Sequence, residues 1–471
     1  MGRRKKQIVL ENVEITGLGA KGRGIGKAPD GRVVFVPYTA PGDVADVQTK
    51  KKRKTYYEGK ALNFKKLSDL RTDPDCPYFG TCGGCQLQHI SYESQVDYKA
   101  KSVVENIKRI GGFTDFEIKT PLASPVIFGY RNKMEYAFTA SKWLTDDEIR
   151  SDKAFDRRGL GFHVPGHWDK ILDIDRCSLQ PEPGNTIRNA LRDFAKKEDI
   201  SFYHPRERSG HLRQLTVRIT KKGDIMVLVH FAGAPQDVIE KTMLFLQNTF
   251  PGITSLLYLV NTKANDSIYD LDIKLWSGKP YIEEQIGELT FRIKPKSFFQ
   301  TNSFQTEQLY DRIKTYARIE KHHTVYDLYS GTGSIGLFVA GDAGKVIGLE
   351  SVEQAVDDAR ENARLNGIAN AEFFAGDMKD IFNADFLLRH GKPDIIITDP
   401  PREGMHPHVV ETILKFPPER IVYVSCNSAT QARDLSLLKK RYELRFIQPV
   451  DMFPQTYHME NIAVLERKNP L

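Results

Sequence analysis

Of the five cysteines in the sequence, Cys426 has the surroundings of a nucleophile. It closes an apolar strand pattern in RIVYVSCNSATQARDL and is followed by a polar turn into a helical pattern. A cysteine at a strand end, beside a helix start, lies where the thiolate is favoured. Lone cysteines are commonly buried apolar fillers, but Ser425, Asn427 and Ser428 make these surroundings polar. Further on, DMFPQTYHMENIAVLER offers the carboxylate of Glu460 just ahead of an apolar strand. A thiolate and a carboxylate together suit substitution at carbon 5 of a uracil ring. That carbon is a poor nucleophile until a thiolate adds to carbon 6 and leaves an enolate. A base must then remove the carbon 5 proton so that the thiolate can depart.

Such chemistry needs an alkyl donor, and TVYDLYSGTGSIGLFVA has the pattern of its binding loop. An apolar strand runs into Gly331, Gly333 and Gly336, spaced G-x-G-x-x-G, and then into a helix. This spacing alone is shared by dinucleotide folds. A second strand, KVIGLE, ends in Glu350, 19 residues after Gly331, where a carboxylate accepts ribose hydroxyls. NAD and S-adenosylmethionine both fit so far. DIIITDPPREG separates them: Asp399-Pro400-Pro401 at the carboxyl end of a strand gives a rigid, dry rim beside a cofactor. Dehydrogenases have no use for it, whereas methyltransferases acting on planar centres do. Enzymes that methylate exocyclic nitrogens place an aromatic residue after the prolines; here that residue is Arg402, which argues for carbon.

The elements that must carry these residues fall into three segments: 1–66, 67–290 and 291–471. In the first, IVLENVEIT, RVVFVPYT and DVADVQTKKKRKTYYEGKALNF alternate apolar and polar residues around the glycine-rich GLGAKGRGIGKAPDGR. This predicts a small OB-like β-barrel of the kind that binds oligonucleotides, with the glycines either in tight corners or beside a ligand. The charge agrees. Net charge is +7 overall, yet residues 1–66 hold 16 Lys/Arg against 6 Asp/Glu, including the run Lys50 to Lys54. A basic module on a near-neutral body implies a polyanionic partner. The middle segment reads as α+β: SQVDYKAKSVVENIKRIGGF is a helix, and DIMVLVHFAG, ITSLLYLVNT and SIYDLDIKLW are strands. Its basic strings GYRNK and HLRQLTVR are candidates for meeting RNA. From 291 onward strands and helices alternate, the pattern of an α/β, Rossmann-like sheet. No apolar run is long enough to span a bilayer and no apolar stretch follows the basic start, so a cytoplasmic protein is expected.

The other four cysteines are Cys76, Cys82 and Cys85 in CPYFGTCGGC, a C-x5-C-x2-C spacing, and Cys177, 92 positions after Cys85. Four thiolates suit a tetrahedral zinc or an iron–sulfur cube, and a cytoplasmic setting disfavours disulfides. The radical enzymes that use S-adenosylmethionine carry C-x3-C-x2-C and leave one iron open. Here the gap is longer and a fourth cysteine closes the site, so any metal is expected to be structural.

Taken together, FFQTN at 298–302, DLYSGTGSIG, VIGLE, DPPREG, SCN and HMEN resemble the RNA uracil-5 methyltransferase family over essentially the whole chain, and residues 1–64 resemble its TRAM module. The resemblance implies a TRAM barrel, a central cluster-bearing domain and a C-terminal class I methyltransferase. It implies Cys426 as nucleophile, Glu460 as proton acceptor, and Gln300, Tyr329, Glu350 and Asp399 as residues holding S-adenosylmethionine. It also implies a [4Fe-4S] cluster on Cys76, Cys82, Cys85 and Cys177. Without the family, Gln300 reads as a helix-start cap and Tyr329 as a core aromatic. A TRAM module joined to a cluster resembles the members that modify 23S ribosomal RNA, with transfer RNA as the alternative. The expected state is a monomer that acts on RNA, not DNA, on a uridine taken out of its stack. A non-catalytic ribosome-assembly factor would have no need of Cys426, Glu460 and Asp399 together.

Overall fold

The apolar periodicities set the architecture. The computed structural model describes residues 8–52, 54–151 and 155–468. Its first strands, Val9–Gly19, Arg23–Lys27, Val33–Val36, Val44–Lys52 and Tyr56–Lys66, close into a barrel. Alternation turns Val13, Ile15, Val34, Val36 and Val47 into its core. The glycine-rich stretch divides: Gly22 (φ 65°) and Gly31 (φ 83°) sit in corners, as one of the two expectations has it, while the strand Arg23–Lys27 runs between them. A Cβ at Gly24 would collide with Thr39 Oγ1, and one at Gly26 would lie 2.7 Å from the Glu14 carbonyl oxygen. These two glycines let neighbouring strands approach. The basic run Lys50 to Lys54 falls partly outside the described residues. The barrel is fastened to the cysteine segment by the buried Ala40, Leu87 and Ile90, and by Arg71 on Asp43 at 2.7 Å.

The middle of the chain builds a seven-stranded sheet, in the order Ile273–Gly278, Ser255–Val260, Ile225–Phe231, Leu212–Ile219, Lys133–Thr139, Gly159–His163, Ile171–Asp173. Its one parallel pair joins Ile225–Phe231 to Ser255–Val260, and the helix Gln236–Thr249 makes the crossover between them. All of Ile225–Phe231 is buried, as its unbroken apolar run requires of a sheet covered on both faces. One face packs with the helices Gly184–Lys197 and Gln236–Thr249; the other contributes Met226, Leu228, Leu257 and Leu259 to the C-terminal core.

The C-terminal sheet has eight strands in the order Ala371–Ala375, Lys345–Glu350, Thr324–Leu328, Ile395–Thr398, Arg420–Ser425, Glu460–Arg467, Tyr442–Val450, Glu117–Ile118. The first five are mutually parallel, and Glu460–Arg467 runs antiparallel beside Arg420–Ser425. Chain order reverses between Thr324–Leu328 and Ile395–Thr398, so a ligand crevice is expected beyond their carboxyl ends. Two pieces of the 67–290 segment pack here instead of in the middle domain. The helix Tyr92–Arg109 sets Val96, Ala100, Val103 and Ile107 against Ala432, Leu435 and Leu438, and the short strand Glu117–Ile118 adds an edge to this sheet. Among the described residues no helix is long and apolar enough to cross a membrane.

Candidate active site

Glu350, Tyr329, Asp399 and Cys426 each stand at or one residue past the carboxyl end of a parallel strand, on the crevice side of the sheet. Glu460 opens the neighbouring antiparallel strand and so reaches the same edge. All five line one cleft of about 1650 Å³, together with Gln300, Arg402 and the four remaining cysteines.

The glycine loop is built for close approach. Gly333 has φ 76°, and a Cβ there would sit 2.8 Å from Phe373. Tyr329 is itself left-handed, with φ 64°, a strained setting for a bulky residue. It is half-buried and accepts a hydrogen bond at Oη from the His406 N–H at 3.4 Å. Glu350 Oε2 accepts from the Gly331 N–H at 3.0 Å, and its Oε1 from the N–H groups of Ser351 and Val352. Backbone donors thus fix the carboxylate at the rim of the cleft. Asp327, which no sequence motif marks, is a buried acid whose Oδ2 accepts from the Gly336 N–H at 2.8 Å; burial pushes it up to about 7. Gln300 donates from Nε2 to Asp399 Oδ2 at 3.3 Å. The cap of the helix Ser303–Ala317 is Asn302, which corrects the helix-cap alternative for Gln300.

The electrostatics at the nucleophile differ from expectation. Burial pushes the Cys426 thiol up to about 12, and the charges of Glu460 and Asp399 push the same way. The helix Ser428–Leu438 begins just beyond, capped by Asn427. Opposing the rise is the positive charge of Arg402, which favours the thiolate. Its backbone carbonyl accepts from Asn427 Nδ2 at 2.9 Å and from Thr430 Oγ1 at 3.0 Å, which ties the DPPR turn to the turn of Cys426. Nothing in the residue pattern signals this partnership. Burial raises Asp399 to about 7. Glu460 rises well above the usual carboxylate range, from burial and then from Asp399. His458, also unnoticed in the sequence, lines the cleft and is held down at about 4 by burial, hence neutral.

The four other cysteines come together from both ends of their long separation, all as free thiols. The charge of Cys177 is felt by Cys76, Cys82 and Cys85. Among the described residues no three His, Cys, Asp or Glu side chains converge closely enough for one metal ion. The donor set nonetheless fits an anionic sulfur centre. Burial raises Cys82 to about 11 and Cys85 to about 12, a cost that a bound cation relieves. The Gly84 N–H donates to Cys82 Sγ at 3.4 Å, and the Cys76 N–H donates to Gln88 Oε1 at 3.0 Å. Beside them lies Arg188, fully buried, bonded to the neutral amides of Asn185 and Asn189 and stacked over Tyr136. Its Nε has no acceptor among the described residues, and its charge acts on Cys177. A buried guanidinium needs compensating negative charge nearby.

The two basic strings divide. Arg131 and Lys133 line the cleft, and so does Arg218 of the second string. Arg213, in contrast, is turned inward to Asp266 and to the carbonyls of Asn261, Lys263 and Asn265, so it is not available to RNA.

Fold and cleft define a class I S-adenosylmethionine-dependent methyltransferase joined to a TRAM barrel. The chain belongs to the RNA (uracil-5-)-methyltransferase family: the model for tRNA (uracil-5-)-methyltransferase matches residues 272–468 and that for the TRAM domain residues 10–62. An uncharacterized RNA methyltransferase of Bacteroides thetaiotaomicron is 47% identical over 95% of this chain and 100% of its own. One from Porphyromonas gingivalis is 45% identical over 97% and 99%. Among solved structures, a Pyrococcus abyssi tRNA (uracil-54, C5)-methyltransferase in complex with S-adenosyl-L-homocysteine is 31% identical. It covers 98% of this chain and 100% of its own, with a TM-score of 0.74.

Proposed function

We propose that this enzyme methylates carbon 5 of a uridine in RNA through a covalent bond between Cys426 and carbon 6. The observation that carries this is the register of two strands: Ser425 pairs with Asn461, so Cys426 and Glu460 emerge opposite each other into the cleft. Cys426, with Arg402 beside it to favour the thiolate, adds to carbon 6. Asp399 and Gln300 hold the ring edge and the cofactor, while Glu350 and Tyr329 anchor the nucleoside part. S-adenosylmethionine, when bound, would supply the methyl group to the carbon 5 enolate as its sulfonium S–CH3 bond breaks, leaving S-adenosylhomocysteine. Glu460 takes the carbon 5 proton, the carbon 6–sulfur bond breaks, and Cys426 leaves as thiolate.

Cys76, Cys82, Cys85 and Cys177 are the ligands of a structural [4Fe-4S] cluster in this reading. A lone zinc at about 2.3 Å from each sulfur needs a tighter convergence than these side chains have, and the buried Arg188, whose Nε has no acceptor among the described residues, supports a centre of net negative charge. The cluster takes no chemical step.

The favoured substrate is 23S ribosomal RNA, on the resemblance of the TRAM-plus-cluster arrangement. Transfer RNA is the second reading, supported by the whole-chain match to the Pyrococcus abyssi tRNA (uracil-54, C5)-methyltransferase. Mapping 5-methyluridine in both RNAs from a deletion strain decides: loss from 23S RNA alone supports the first, loss from tRNA the second, and no loss from either overturns the proposal.

A further inference from the structure

Five consecutive backbone carbonyls just ahead of Glu460 are each held from outside their own loop. Met452 O accepts from Asn302 Nδ2 at 3.2 Å, and Phe453 O from Lys99 Nζ at 3.2 Å. Pro454 O accepts from Tyr130 Oη at 2.9 Å, and Gln455 O from the N–H groups of Gln86 and Leu87, both at 3.1 Å. Thr456 O accepts from Lys99 Nζ at 3.1 Å. The third partner of Lys99 is Asp451 Oδ1 at 2.7 Å, with side-chain exposures of 3% and 0% for the pair. Gln455, left-handed at φ 70°, also exchanges two hydrogen bonds of 3.0 Å with Gln95.

This anchoring exceeds what the connection requires. Residues 451–459 join two strands that already pair, with Val450 opposite Glu460, and connecting loops ordinarily leave such carbonyls to water. Lys99 spends all three of its donors on the loop and its carboxylate, at the desolvation cost of a buried ammonium. Glu460 supplies the reason. It is buried, and among the described residues its Oε2 has no hydrogen-bond partner. An acid that must stay free to receive a proton has little to orient it except its backbone, so the backbone must be rigid.

We propose that Lys99, Gln95 and Tyr130 are positioning residues for Glu460, clamping the loop so that the carboxylate stays on the carbon 5 proton. The inference rests on Glu460 as proton acceptor and deepens that reading. Because Gln86 and Leu87 follow Cys85 directly, order in the cysteine segment reaches the same loop through the Gln455 carbonyl.

The test compares Lys99→Met and Tyr130→Phe with wild type and Glu460→Gln. The substrate is bulk RNA from cells lacking this enzyme, with radiolabelled S-adenosylmethionine. Turnover is read beside the steady-state fraction of methylated RNA that stays linked to protein after denaturation. Displacement of the acid should slow Lys99→Met about 10- to 100-fold, and loss of one hydrogen bond should slow Tyr130→Phe about 3-fold. Both should raise the linked fraction above wild type while cofactor affinity is unchanged, a signature that mere loosening of the fold would not give. Tyr130→Phe keeps the ring and carries the test alone if Lys99→Met does not fold. Glu460→Gln that builds no linked complex overturns the acceptor assignment, and the clamp with it. Glu460→Gln that builds one, beside variants whose linked fraction does not rise, overturns the clamp alone.

Discussion

Ser425 and Asn461 face each other across an antiparallel strand pair, so the next residue on each strand, Cys426 and Glu460, leaves the sheet at the same point. Opposed residues in such a pair have Cα atoms about 4.5–5.5 Å apart. One planar ring lying over that point meets a sulfur and a carboxylate together, which is what addition at one carbon and proton removal at its neighbour demand.

Glu460→Gln should separate the two halves of the reaction. The amide keeps the shape but cannot take the carbon 5 proton, so methyl transfer proceeds once and the methylated RNA stays linked to Cys426. Gel electrophoresis under denaturing conditions, with label in the methyl group, should show a stable protein–RNA band. A variant that transfers no methyl and forms no band would assign the base elsewhere.

The pH dependence follows from the same groups. Burial raises Cys426 to about 12 and Asp399 to about 7, and raises Glu460 well above the usual carboxylate range. Each group must shed its proton to act, and each sheds it as pH rises. kcat/KM should therefore climb between pH 6 and 9, by roughly tenfold per unit from Cys426 alone and more steeply wherever a carboxyl titrates with it, with no falling limb from these acids. Arg402→Met removes the cation that opposes the rise at Cys426, so its profile should move to higher pH. A wild-type maximum below pH 7 would contradict this electrostatic account.

How far the sequence reached is clearest at individual residues. Cys426, Glu460, Asp399, Glu350 and the glycine loop were legible because each lies at a strand end whose apolar run is continuous, and parallel strands bring such ends to one edge. The influence of Arg402 on Cys426 was not legible, since it depends on two turns packing side by side. Nor was the helix Tyr92–Arg109 placed correctly: its apolar stripe says only that it packs, and its partner, Ser428–Leu438, lies more than three hundred residues away. Gly24 and Gly26 misled because glycine signals a turn or a close approach, and only the neighbours Thr39 and Glu14 show which.

Metal analysis tests the cysteine centre. Protein purified without oxygen should be brown, with about four iron and four sulfide per chain. Cys177→Ser should lose them as fully as Cys82→Ser, despite the distance between the two in sequence. Colourless, zinc-loaded, fully active enzyme would exclude the cluster.

The covalent bond itself is the most direct measurement. RNA carrying 5-fluorouridine at the target should be methylated and then trapped, because fluorine blocks the proton loss that frees Cys426. Mass spectrometry of the digested complex should find the methylated nucleotide on the peptide containing Cys426. Cys426→Ala should form no adduct and turn over no natural RNA, while binding S-adenosylmethionine as wild type does. Normal turnover by Cys426→Ala, or an adduct mapped to another residue, would contradict the mechanism.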